Sequence, residues 1–386
     1  MSTGTAEDPR GWLRLLGCGL EKSRLTALVG ALGSPGAVMD ASDSELAETH
    51  GLGTRHIQAL RQQPTPADID RQMIALERSG ARIVPVASPD FPRNLFHLRV
   101  PPPAIFVKGR LESYDSLAVG IVGPRTPTAY GLSVARALAR DFAPTLTIVS
   151  GAALGIDSAA HEAVLDAGGR TIGVLGCGID INYPSTNAKL RARIGDGGQG
   201  ALVSIFPPLS PPHSHHFPIR NHILAGLSLA VVVVEAGARS GALVTARAAG
   251  EEGRQVYAVP GDITRANSAG SNALLRDGAA VCTGAASVIE DLEGTLHREL
   301  EELLRRRRAA PGAAPTEEHA MSNAGRSPGE EAILRMVAHS SISHDDLIAK
   351  LVPGSMSLGE LSSALLMLEL DGRIRQSPGR LYEARL

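Results

Sequence analysis

At 386 residues, with a formal net charge of −2 and only 3% aromatic side chains, the chain has room for two or three domains and must build aliphatic cores. The near-neutral balance excludes a uniformly basic coat, so a polyanionic partner has to meet a local basic patch. Cys18, Cys177 and Cys282 are widely separated and form no CxxC pair, which excludes a disulfide framework and fits a reducing compartment. The first residues lack a basic then apolar signal pattern, and the longest apolar run, Leu229 to Ala236, is too short for a membrane span. The expectation is a cytoplasmic protein with no membrane partner.

Residues 1–75 read as a small all-α domain, with Leu13, Leu16 and Leu20, then Leu25, Leu28 and Val29, at helical spacing. Gly51-Leu52-Gly53 before Thr54 is the glycine hairpin of a helix-hairpin-helix unit. A sterile-alpha-motif-like protein-binding bundle fits the same segment, because it carries few basic residues.

From 76 to 292 the pattern changes to strands alternating with helix-length spacers. The strands are 82–86, a run ending near Gly109, 118–122, 146–149, 171–175, 201–204, 230–235 and 255–259. Continuous Val, Ile and Leu strands between helices predict a parallel sheet covered on both faces. The fold class expected is α/β, an extended Rossmann-like parallel sheet flanked by the helical N-terminal domain and a C-terminal winged helix.

Two tandem units carry the chemistry. Strand 118–122 runs into Gly123-Pro124-Arg125, and strand 146–149 runs into Ser150-Gly151-Ala152. Two strand, glycine-turn, helix units aim backbone N–H groups and helix N-termini at one sheet edge, a seat for phosphate. Arg125 adds a cation and Ser150 a hydroxyl donor. No Gly-x-x-x-x-Gly-Lys-Ser/Thr follows, so the seat is not a P-loop. Asp157 and His161, four apart on one helix face, read as a hydrogen-bonded structural pair rather than metal ligands. His213, His215, His216 and His222 lack metal-ligand spacing, and no cofactor is expected.

Phe217-Pro218-Ile219-Arg220-Asn221 offers an aromatic, a cation and an amide together, the parts that single-strand binders combine. Phe217 fits a core position equally well. Ser240-Gly241 closes the next strand as a further phosphate seat. Residues 293–328 begin as a charged helix containing Arg305 to Arg308 and turn into an Ala/Pro/Gly/Ser-rich linker. Residues 329–386 read as three helices, Ser343 and Ser357 capping the last two, and a hairpin, hence a winged helix. Its third helix is acidic and apolar, which favours a protein-binding wing over base reading.

At these residues the chain resembles the DNA-processing protein A family (DprA, also called Smf). The motifs are Gly123-Pro124-Arg125, Val149-Ser150-Gly151-Ala152 through Gly155-Ile156-Asp157, Tyr183-Pro184, Phe217-Pro218-Ile219-Arg220-Asn221, Ser240-Gly241 and Gly270-Ser271-Asn272. The resemblance implies a non-catalytic mediator that binds single-stranded DNA, forms a homodimer and loads RecA recombinase during DNA uptake or repair. Double-stranded DNA is left open as a further partner. The binding residues it points to are Gly123, Arg125, Ser150, Gly151, Ala152, Phe217, Arg220, Asn221, Ser240 and Gly241. Pro124 replaces the family's usual serine, and Ile205, Ser185 and His222 depart from its glutamate and basic residues. Arg170 and Lys189, with Arg191 and Arg193, are the cations expected to compensate.

Two other classes compete. A nucleoside-monophosphate phosphoribohydrolase needs a Pro-Gly-Gly-x-Gly-Thr loop followed by glutamate, whereas 236–243 has no carboxylate and the next is Glu251. A transcription regulator would need sequence-specific duplex binding by the winged helix alone.

Overall fold

The computed structural model describes residues 8–48, 50–309, 327–338, 342–352, 356–370, 373–377 and 381–384. The low-complexity linker and its flanks lie outside them, as do the side chains of Arg305 to Arg308.

Six helices open the chain: α1 Pro9–Leu16, α2 Lys22–Leu32, α3 Pro35–Asp40, α4 Asp43–Glu48, α5 Thr54–Arg61 and α6 Pro66–Ser79. The start and stop of α6 are written locally. Thr65 and Asp68 form a capping box, Pro66 sits in the first turn, and Gly80 ends the helix at φ 67. The Gly51–Gly53 hairpin joins α4 to α5, with Leu52 buried and its N–H donating to the Leu46 carbonyl at 3.1 Å. Trp12, Leu15, Leu25, Leu28, Leu46 and Leu60 close this core, but Leu13, Ile69 and Leu76 pack with Phe106 and Leu202 of the sheet. The boundary expected at 75/76 therefore falls inside α6, which belongs to both units.

The central sheet has nine strands: β1 Ala81–Pro85, β2 Ala104–Gly109, β3 Ala118–Val122, β4 Thr147–Ser150, β5 Thr171–Leu175, β6 Gly200–Ser204, β7 Ala230–Val233, β8 Gln255–Ala258 and β9 Ala280–Val281. Their spatial order is β1-β2-β6-β5-β4-β3-β7-β8-β9. From β6 to β9 every pairing is parallel, as predicted. The first two strands differ: β1 pairs antiparallel with β2, and β2 antiparallel with β6. Only a short 3-10 turn, Arg93–His97, lies between β1 and β2, and without a crossover helix the chain reverses direction.

The crossover helices are α7 Ala129–Phe142, α8 Ile156–Asp166, α9 Ala188–Asp196, α10 His216–Leu227, α11 Gly241–Glu251 and α12 Ala269–Arg276, and α13 Ala285–Ala309 follows the last strand. Helices α7, α8 and α13 bury one face of the sheet around Val119, Ile121, Ile148 and Val232. Helices α10 and α11 bury the other around Val122, Val149, Val174 and Val231. The helices following β3 and β7 lie on opposite faces, so a topological switch stands between those neighbours, and crevices open at the strands' carboxyl ends.

Helix α13 carries Val288, Ile289, Leu292 and Leu296 in the sheet core, so it runs through the expected boundary at 292. Beyond it come α14 Pro328–Val337, β10 Ile342–Ser343, α15 His344–Leu351, α16 Leu358–Leu370, β11 Ile374–Ser377 and β12 Leu381–Ala384, a winged helix with sheet order β10-β12-β11. Ser343 and Ser357 accept the N–H groups of Asp346 and Glu360 as caps. Helix α16, the recognition position of such a fold, lies against α13, with His297 Nδ1 3.6 Å from Glu369 Oε2.

Candidate nucleic-acid interface

The loops after β3, β4 and β5 meet at the carboxyl edge of the sheet. They enclose a small cleft of about 70 Å³ lined by Arg125, Phe217 and the Gly151 to Leu154 loop. Phe217 is half-buried at the start of α10. Its ring lies so close over Gly176 that a Cβ there would stand 2.8 Å from it. The guanidinium carbons of Arg125 and Arg220 lie 5.4 and 5.9 Å from the ring centroid, and the Tyr183 ring lies 6.0 Å away at 44°. Arg125 is exposed, so its charge faces the solvent with the ring beneath it.

The phosphate-seat expectation needs correction, because the chain fills two of those seats with its own carboxylates. Asp157 Oδ2 accepts the Gly151 N–H at 3.1 Å and the Ala153 N–H at 3.4 Å. Glu235, buried at the end of β7, accepts the Thr128 N–H at 3.0 Å and the Thr128 hydroxyl, and Thr128 caps α7. The Ser150 hydroxyl is not an available donor either: it is buried and donates to the Ile121 carbonyl at 2.6 Å.

Arg220 and Asn221 are likewise interior. Arg220 Nη1 donates to the carbonyls of Gly151, at 2.6 Å, and Val174, and Nε donates to Asn221 Oδ1 at 3.2 Å. Gly151 explains how the buried charges meet. A Cβ on it would lie 2.5 Å from Arg220 Nη1 and 2.6 Å from Asp157 Oδ2. The glycine makes room for the buried Arg220 guanidinium and Asp157 carboxyl rather than for an approaching phosphate. Burial pushes the Asp157 carboxyl above its ordinary range, with Arg220 and the two N–H donors opposing.

Asp157 and His161 do not bond each other as expected. The Thr171 hydroxyl donates to the Ile148 carbonyl at 2.8 Å, so its lone pair accepts from His161 Nδ1–H at 2.6 Å. That fixes the tautomer and leaves His161 Nε2 buried without a hydrogen-bond partner. Burial, with the Arg220 charge adding to it, pulls the His161 pKa down to about 3.

Arg170 does not join the cleft. It precedes β5 at the opposite end of the sheet and is held bidentate by Asp115, at 3.1 and 2.9 Å. Arg191 is also inward, donating to the Tyr183 and Ile179 carbonyls, and Arg193 pairs with Asp166. Lys189 is exposed on the first turn of α9. Gly123 packs against Ile156, where a side chain would collide. Ser240 accepts the Ala242 N–H as the cap of α11 and Gly241 is exposed, but neither lines the cleft.

Ala152 lines the cleft in the left-handed conformation, φ 50. Asn187 holds it there, donating Nδ2 to the Ala152 carbonyl at 3.1 Å and to Ser158 Oγ at 2.8 Å. Asn187 has no local signature in the sequence, and Glu235 stands there only as the end of a strand before a small-residue turn, with nothing to mark it as the anion that caps α7 with Thr128. Among the described residues no cluster of His, Cys, Asp and Glu could hold a metal ion, and no helix is long and apolar enough to cross a membrane.

Comparison with known proteins places these features. Residues 82–293 match the family model for DNA recombination-mediator protein A, and residues 316–380 match the DprA winged helix domain. Protein Smf of Escherichia coli K12 is 39% identical over 66% of this chain and 68% of its own length. The structure of DNA processing protein A from Streptococcus pneumoniae superposes with a TM-score of 0.64 at 30% identity, covering 74% of this chain and 98% of that one. A structure addressing the single-stranded DNA binding mode of the Helicobacter pylori protein superposes at 0.50 with 29% identity, over 56% of this chain and 96% of that one.

Proposed function

The chain belongs to the DNA recombination-mediator protein A (DprA/Smf) family, and from that premise we propose that it mediates recombination by holding single-stranded DNA across the carboxyl-edge cleft, with no chemistry of its own. The observation that carries this reading is Arg125, an exposed cation stacked over the half-buried Phe217 ring. The cleft is small, about 70 Å³, and in this reading a base lies on Phe217 beside Tyr183 while Arg125 takes its phosphate.

In this reading two copies join through the central domain, because one cleft serves only a few nucleotides. The longer track then delivers its strand to RecA recombinase in the cytoplasm. Duplex DNA is a poorer ligand for the winged helix, since α16 already lies against α13.

The test is fluorescence anisotropy on oligo(dT), with circular dichroism as the check on folding. Arg125→Ala weakens binding by about 1.5–3 kcal/mol, the scale of a hydrogen bond to a charged group. Phe217→Ala costs about 1–3 kcal/mol, the scale of one stacked base. Wild-type affinity in both variants would remove the cleft from the mechanism.

A further inference from the structure

The larger hollow lies beside the cleft. A groove of about 470 Å³ opens between α6 and the loops following β5 and β6. Its α6 wall presents Arg71, Ile74 and Arg78 at i, i+3 and i+7, one helix face with the two arginines about 10.5 Å apart along the axis. Ile74 is 54% exposed, and across the groove Leu209 is 44% exposed. Arg71 is paired with Asp68 one turn back, yet most of its side chain stands in solvent. Arg78 is exposed and forms no ion pair among the described residues. Asp180, the acidic group of the lining, accepts the Leu209 N–H at 2.9 Å and so ties the loop after β5 to the loop after β6.

Two observations connect this groove to the cleft. The loop after β5 walls both, Tyr183 facing one and Asp180 the other. It is anchored by the Gly178 N–H on the Ser210 carbonyl at 2.8 Å and by Arg191 on the Tyr183 carbonyl at 3.1 Å. Among the described residues only Ala152 and Leu209 adopt positive φ without being glycine, at 50 and 67. One lines the cleft and the other the groove. A left-handed leucine is a costly backbone, kept where the surroundings demand it and concentrated at binding sites.

We propose that the groove is a second seat for the same single strand, with phosphates on Arg71 and Arg78 and a sugar or base face on Ile74 and Leu209. The strand then follows the carboxyl edge from β3 past β5 and onto the N-terminal helices. This extends the cleft reading above and depends on it.

The experiment measures the full chain against oligo(dT) of about 5 and about 20 nucleotides. At about 50 mM salt the Arg71→Ala/Arg78→Ala variant binds the long strand about tenfold more weakly, and the short one within about twofold of wild type. Its salt slope on the long strand flattens by about 1.4, two contacts at about 0.7 each. Arg136→Ala/Arg140→Ala, which removes the same charge from exposed positions of α7, changes neither. Wild-type binding of the long strand by the Arg71/Arg78 variant, with Arg125→Ala still weakened, overturns the groove alone and leaves it to an acidic protein segment. Equal weakening at both lengths overturns it as well. Unchanged binding by Arg125→Ala at both lengths removes the cleft and with it the shared strand.

Discussion

Arg220→Met separates an interior arginine from a DNA-contacting one. Arg220 is buried, donates to the Gly151 and Val174 carbonyls, and faces the buried Asp157 carboxylate. Methionine keeps much of the volume and removes the charge. Removing the guanidinium leaves two buried carbonyls without their donor and the buried Asp157 charge without a nearby cation, at a cost of about 1–3 kcal/mol for each group left unsatisfied. A phosphate contact would instead cost about 1.5–3 kcal/mol of affinity and leave stability alone. Equilibrium urea unfolding followed by circular dichroism reads the difference. The loss also carries a pH signature. Asp157 already has a raised folded pKa, so the folded form takes up a proton more readily than the unfolded chain, and this group's contribution falls as pH rises above the ordinary carboxylate range. Without Arg220 the carboxyl rises further, so the variant loses more stability at pH 8 than at pH 5. Adding Asp157→Asn removes the orphaned charge while keeping an acceptor for the Gly151 N–H, and recovers the part of the loss that this charge causes. An Arg220→Met protein of wild-type stability that has lost its single-strand affinity would refute the interior assignment.

Two further outcomes follow from the buried groups. His161 has a folded pKa of about 3 against an ordinary value near 6.5, so its contribution is intact above pH 6.5 and is lost as pH falls toward 3. The slope is at most about 1.4 kcal/mol per pH unit. His161→Gln should remove about one proton's worth of that slope between pH 6 and pH 4, and an unchanged slope in urea titrations would count against the burial argument. Arg170→Ala breaks a pair whose side chains are only 11% and 7% exposed, and should cost up to about 3 kcal/mol of stability with oligo(dT) affinity unchanged. Weakened binding by a stable Arg170→Ala protein would return that residue to the interface.

The strands were legible because parallel strands buried on both faces must be nearly continuous Val, Ile and Leu, as in 118–122 and 230–233. The carboxyl edge was legible because glycine turns mark it. The reversed strands β1 and β2 were not, since pairing direction depends on a connection whose helix content is weak in sequence. Nor did the turns disclose what occupies them. Gly151 looks the same in sequence whether it admits a phosphate or lets Arg220 approach Asp157, and only the fold shows the second. Helix N-termini favour an anion of any origin, and here Asp157 and Glu235 supply it from within. Backbone seats that are already filled contribute little to a polyanion. Attraction on a chain of net charge −2 must then come from the cations left at the rim, so Arg125 outweighs the glycine turns that first drew attention to this edge.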